Sequence, residues 1–303
     1  MPTEAAGARA LDLVLRLRRI PLFRALSLES LQTLSLAATV QPLAPGQPLA
    51  RPGEPCDRLL LLLEGELVAP GSGAELPQVE LLGALALLAG QPLPIPVVAR
   101  GAVQLLCIPG DALFDFLEAD FGALLEVMRG AAQLLLEAPV DTGGLPPRAA
   151  PAPGAAPLDL VQRMLLVLRA FGLGNVSVMA LTDMARTATQ SVADGARPLW
   201  RVGDVASEVV LVADGSVALR PASGSLPAHE AGPEAVLGGL DVFAGTLRRY
   251  DALPSAGTVL LHLPAGGVLG MFEDHFDMAV GVLTSLSRSA LGALGKAGTV
   301  LRE

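Results

Sequence analysis

The sequence predicts a mainly β protein with flanking helices, folded as two antiparallel β-rolls in tandem. Three features predict it. Landmarks in the first half recur in the second; a Pro/Ala/Gly-rich stretch separates the copies; and each copy passes from helical periodicity to short apolar runs and back to helix. At 303 residues the chain has room for two domains, each burying its own core without disulfides or metal.

The repeat is carried by spacing. LDLV occurs at 11–14 and at 158–161, each time opening a helical pattern. Gly53 and Gly65 are 12 apart, as are Gly203 and Gly215, and Gly83 to Pro109 and Gly238 to Pro264 are both 26 residues. The shift of 155 from Gly83 to Gly238 also maps Phe121 onto Phe276. Between the copies, EAPVDTGGLPPRAAPAPGAAP at 137–157 is rich in residues that fix φ or withhold N–H donors, as in an extended linker. The expected domains are therefore 1–136 and 158–303.

Along the first copy, Leu28, Leu31, Leu34 and Leu36 fall at helix-like spacing behind Ser27, a candidate N-cap. After Val40 the helical period ends. LLLLL at 59–63 and VQLLCI at 103–108 are short runs bounded by Gly and Pro, as in a compact antiparallel roll. From Asp111 the pattern is helical again, through ALFDFLEADFGALLEVMRGAAQLLLEA.

Charge and composition exclude several functions. A net charge of −9 repels a phosphate backbone, so nucleic acid is not an expected partner. Cys56 and Cys107 lie in apolar segments, as buried thiols of a reducing compartment do. The N-terminal MPTEAAGARALDLVLRLRR lacks the form of a signal peptide, and no segment has the ~20 apolar residues of a membrane span, so a soluble cytoplasmic protein is expected. His229, His262 and His275 are assigned to a loop, a strand and a helix, with no second ligand at metal spacing; His262 matches Cys107 of the other copy, as a packed core position would. G-x-S-x-G and phosphate-loop motifs are absent, and GLGNVS at 172–177 lacks the glycines of a dinucleotide turn. No enzymatic activity, metal or cofactor is expected.

The order PLFRALSLESLQTL, APGQPLARPGEPCDRLLLLLEGEL, GALALLAGQPLPIPVVA and LLCIPGDALFDFLEADF resembles the bacterial cyclic nucleotide-binding domain of the catabolite-activator type. The second copy, with ADGARPLWRVGDVASEVVLVADGSVAL, GGLDVFAGTLRRYDAL and VLLHLPAGGVLGMFEDHF, is similar to a more diverged example. The resemblance implies a jelly-roll-like β-roll of eight strands flanked by helices, twice. It also implies a nucleotide cassette, G-E-L-A-L followed by P-R-S/T-A, whose glutamate holds the ribose and whose arginine meets the cyclic phosphate beside backbone N–H groups.

Against that cassette the first copy has Ala84 at the glutamate position and Leu93 at the arginine position, and Pro94 and Pro96 have no backbone N–H to offer. Loss of two charge-assisted hydrogen bonds worth ~1.5–3 kcal/mol each weakens binding by several hundredfold or more. Leu93 and Ile95 are expected to fill the emptied pocket. In the second copy Gly239 replaces the glutamate and Asp241 stands where a small residue is expected, while Arg248 falls on the arginine position beside Arg249. An anion could dock on Arg248 and Arg249; the alternative, favoured here, is a solvated basic pair in a loop.

The expected function is thus a regulatory or scaffolding one, exercised through contact with a protein partner. The alternative is a sensor that binds a nucleotide or other anion in the second domain. Only 39 residues follow Pro264, little room for a helix-turn-helix. The C-terminal helix expected at 273–294 has apolar residues on more than one stripe, which suits either a homodimer through that helix or a helix that folds back on its own chain.

Overall fold

The computed structural model describes residues 11, 13–18, 23, 26–49, 53–68, 81–93, 96–136, 157–221 and 229–297; apart from Pro157, the expected linker at 137–157 lies outside them, as does Ile95. The chain divides into two compact units, Met1–Leu134 with Leu286–Glu303, and Leu135–Ser285.

In the first unit, α1 (Leu28–Leu36) begins at the expected cap: Ser27 is extended and its Oγ accepts from Ser30 N at 3.0 Å, satisfying one of the N–H groups a first turn leaves without a partner. Of its four leucines only Leu31 and Leu34 are buried; Leu28 and Leu36 face solvent. Strands β1 (Thr39–Leu43), β6 (Val103–Pro109), β2 (Arg58–Glu64) and β4 (Leu81–Leu82) form one antiparallel sheet in that order, and β3 (Leu67–Val68) pairs with β5 (Val98–Ala99). Leu43, Leu60, Leu67, Val97, Ala99, Val103, Leu105 and Cys107 form the interior. Leu59 and Leu61 are buried on the opposite face of β2, so a strand covered on both sides is written as a continuous apolar run.

The helical pattern after Asp111 is two helices, α3 (Gly110–Ala119) and α4 (Phe121–Leu136). Asp120 leaves helical geometry between them (φ −127°, ψ 89°), and its carboxylate accepts from Ala123 N at 2.9 Å and from Ser30 Oγ at 2.6 Å. One aspartate therefore ends α3, caps α4 and ties both to α1.

The second unit opens with α5 (Leu160–Ala170), capped by a reciprocal box in which Asp159 accepts from Gln162 N and Gln162 accepts from Asp159 N. After α6 (Val178–Thr187), one sheet has the order β11 (Val236–Leu237), β8 (Glu208–Asp214), β13 (Val259–Pro264), β7 (Thr189–Val192). A second sheet has the order β10 (His229–Ala231), β9 (Val217–Pro221), β12 (Tyr250–Pro254). Trp200, Val210, Val212, Val217, Leu219, Tyr250, Ala252 and Leu260 meet between the two sheets. Val209 and Leu211, on the other face of β8, are fully covered, and α5 and α8 (Ala265–Asp274) pack on that strand. The helix expected at 273–294 is α9 (Phe276–Ala297), separated from α8 by His275 at φ −133° and ψ 82°; from Leu286 on it counts with the first unit.

The register slips in both units at the same step of the central pair, between Leu62 and Glu64 in the first and between Val259 and Leu260 in the second. An irregularity of this kind bends the bulged strand and increases its local twist.

Candidate functional site

Each unit places a six-residue helix between two short strands: α2 (Ala84–Ala89) in the first and α7 (Gly239–Ala244) in the second. Each begins after a glycine in left-handed geometry, Gly83 at φ 83° and Gly238 at φ 70°, and each ends on another, Gly90 or Gly245. What lies over the first glycine separates the two units. Over Gly83 there are apolar groups: an added Cβ would sit 2.8 Å from Cys56 Sγ and 3.5 Å from Leu93 Cδ2. Cys56 Sγ donates to the carbonyl of Arg58 at 3.1 Å, and every residue of α2 is buried.

Over Gly238 there is a guanidinium. Arg248 Nη1 donates to Gly238 O at 3.1 Å, Nη2 donates to Glu208 O, and Cζ stands 3.9 Å above the centre of the Trp200 ring. Nη1 is also 3.9 Å from Asp241 Oδ2, in an ion pair whose two side chains are each 1 % exposed. Asp241 Oδ1 accepts from Arg249 Nε at 3.1 Å, so one carboxylate stands between two arginines. Arg249 is 29 % exposed, and its Nη1 donates to the carbonyl of Leu136 at 2.8 Å. Tyr250 Oη accepts from Gly238 N at 2.8 Å. Burial pushes the Asp241 carboxyl above the ordinary range, against the pull of both arginines, and pulls the Arg248 guanidinium below its own.

In each unit the short helix opens on a left-handed glycine and joins an edge strand of the four-stranded sheet, β4 or β11, to a strand of the smaller sheet, β5 or β12. Residues 40–120 match the family model of the cyclic nucleotide-binding domain. Solved structures similar to the chain include the regulatory domain of Toxoplasma gondii protein kinase A with cAMP (16 % identity, 94 % of this chain and 97 % of that one, TM-score 0.34). Another is the regulatory subunit of a cAMP-independent protein kinase A from Trypanosoma brucei (15 %, 95 % and 90 %, TM-score 0.35). A third is the N-terminal domain of a transcriptional regulator from Streptomyces coelicolor A3(2) (29 %, 40 % and 90 %, TM-score 0.36). No curated protein matches the chain.

Within the matched stretch 40–120, Ala84 is buried at the start of α2, and Leu93 Cδ2 lies 3.5 Å from where a Cβ on Gly83 would stand. In the second unit the favoured expectation of a solvated arginine pair fails for Arg248, which is 2 % exposed. The signal was in the sequence as a period of two: Arg248, Tyr250 and Ala252 alternate inward with Arg249 and Asp251, and a chain continuing into β12 carries Arg248 to the interior.

The histidines also differ from expectation. His229 is exposed at the start of β10 rather than in a loop, and His275, between α8 and α9, has Nε2 3.2 Å from Asp183 Oδ2. His262 is half-buried, with Ser191 Oγ 2.7 Å from Nε2 and Glu208 Oε2 3.0 Å from Nδ1. Its counterpart Cys107, a thiol that burial pushes up, donates to Gln41 Oε1 at 3.4 Å. Hydroxyl, imidazole and carboxylate stand in the order of a hydrolytic triad. Ser191, however, lies inside a regular antiparallel pair opposite Leu260, not on a turn that lifts its Oγ clear, and the trio fastens β7, β13 and β8 together. Among the described residues no three His, Cys, Asp or Glu gather as metal ligands, and no helix is long and apolar enough to cross a membrane.

Tyr250 gives the site a pH dependence. Burial raises its phenol from 10.0 to about 12. The unfolded chain loses this proton first, so the stabilisation is complete below pH ~10 and drains as pH rises through the folded value, by up to about 3 kcal/mol. Urea midpoints measured in steps across that range should fall for the wild type and stay nearly flat for Tyr250→Phe. Parallel curves would show that the phenol is not protected.

Proposed function

We propose that the chain is a non-enzymatic regulatory or scaffolding protein that uses two cyclic nucleotide-binding-like folds in tandem, 1–136 and 158–303 joined by 137–157, for protein–protein interaction, with the nucleotide cassette lost from both. The observation that carries the proposal is the direction of Arg248. Its guanidinium points inward to two backbone carbonyls, an indole face and Asp241, so the one cassette arginine left in the chain is already engaged. In the first domain the same place holds Leu93 and Cys56.

The sensor alternative needs Arg248 to leave its carbonyls and a phosphate to enter beside a carboxylate 1 % exposed. Both steps cost free energy, since the extracted guanidinium leaves the buried Asp241 with Arg249 alone and the incoming anion is repelled by the carboxylate. A homodimer through the C-terminal helix would use the side of α9 that carries Leu286, which is half-buried while Met278, Ala279, Val282 and Leu283 are buried.

Isothermal titration of the 303-residue chain with cyclic AMP and with cyclic GMP should give no saturable heat at micromolar concentrations. A saturable isotherm for either nucleotide that disappears in Arg248→Ala would replace this proposal with the sensor.

A further inference from the structure

The lining around Arg248 is made of acceptors. Gly238 O and Glu208 O take hydrogen bonds from Nη1 and Nη2, the Trp200 ring presents its electron-rich face, and Asp241 supplies a carboxylate. Three buried polar atoms at the site have no hydrogen-bond partner: Asp241 Oδ2, Arg248 Nε and Trp200 Nε1. Gly238 is part of this lining through what it lacks, since a Cβ there would stand 1.9 Å from Nη1 and 2.8 Å from Cζ. A place built to receive phosphate offers donors; this one offers a plane, two carbonyls at its edge and a negative group, which is the complement of a planar cation.

We propose that the second unit carries a guanidinium-binding site, formed by Gly238 O, Glu208 O, the Trp200 face and Asp241, which Arg248 fills as a tethered ligand and which takes a free guanidinium or amidinium group when that side chain is shortened. The site at the cassette position is thereby inverted in charge preference, from anion to cation. Tethering explains why the wild type holds its own ligand: a side chain fixed next to its site has an effective concentration in the millimolar range or above, and a free competitor must exceed it. The inference rests on the lining alone and stands whether or not the chain works by protein contact.

The test is thermal unfolding of the 303-residue wild type and Arg248→Ala with millimolar ethylguanidinium, ethylammonium, sodium phosphate or cyclic AMP. For Arg248→Ala, ethylguanidinium should raise Tm saturably, by about 2–4 °C at roughly five times its dissociation constant. The same addition should leave the wild type unchanged, and ethylammonium should do less because it cannot span two carbonyls while stacking on the indole. No rise with ethylguanidinium, an equal rise with ethylammonium, or a larger rise with phosphate or cyclic AMP would each overturn the proposal. Should Arg248→Ala fail to fold, the wild type still decides by NMR: the Arg248 Nη protons are expected as separate, slowly exchanging resonances, and a single averaged signal would refute a seated guanidinium.

Discussion

Gly238→Ala will expel Arg248 from the interior and destabilise the second unit by at least about 3 kcal/mol. Two costs add. The residue holds φ 70°, where a β-carbon costs about 1–2 kcal/mol, and the methyl would stand 1.9 Å from Arg248 Nη1 and 2.8 Å from Cζ, so the guanidinium must move off Gly238. Once the guanidinium leaves, Asp241 keeps only Arg249, and breaking a buried ion pair by removing one partner costs about 3–5 kcal/mol. Gly83→Ala is the control in the first unit. It meets the same backbone strain at φ 83°, but its methyl meets Cys56 Sγ at 2.8 Å and Leu93 Cδ2 at 3.5 Å, so a loss of about 1–3 kcal/mol is expected. Chemical denaturation of both variants measures the difference. Equal losses would mean that the seated arginine adds nothing beyond the turn.

Asp241→Ala should cost about 3–5 kcal/mol, because it strips the carboxylate from two arginines at once and leaves Arg248 buried without its counter-charge. Asp241→Asn separates charge from hydrogen bonding: its amide oxygen still accepts from Arg249 Nε, so its loss should be smaller than that of alanine. A change below about 1 kcal/mol in Asp241→Ala would place the stability of the site in the carbonyls and the indole instead. That outcome would leave Arg248 seated and make Asp241 a minor part of the lining.

Local features were legible in the sequence and distant ones were not. Gly and Pro mark the strand ends, so LLLLL and VQLLCI fall inside β2 and β6 as expected, and Ser27 caps α1 because its hydroxyl needs only a partner three residues on. The break between α3 and α4 was missed because LEADFG contains no proline and its glycine comes after the break; Asp120 ends one helix through contacts with α1 and α4 that periodicity does not record. Arg248 was misread for a related reason. Two adjacent arginines look solvated until their alternation with Tyr250 and Ala252 is followed into β12. Nothing local announced the contact of His262 with Ser191 and Glu208, whose partners lie 71 and 54 residues away.

The aromatic pair beside Gly238 has an experimental consequence. Trp200 and Tyr250 are the only tryptophan and the only tyrosine in the chain, with ring centroids 6.0 Å apart. Intrinsic emission therefore arises at one point, within energy-transfer range of a single donor, and a cation sits on the emitting ring. Fluorescence of the intact chain follows the unfolding of the second unit and is silent to the first, whereas far-ultraviolet circular dichroism follows both. Recording the two signals on one sample separates the melting of the halves without a cut, a label or a substituted residue.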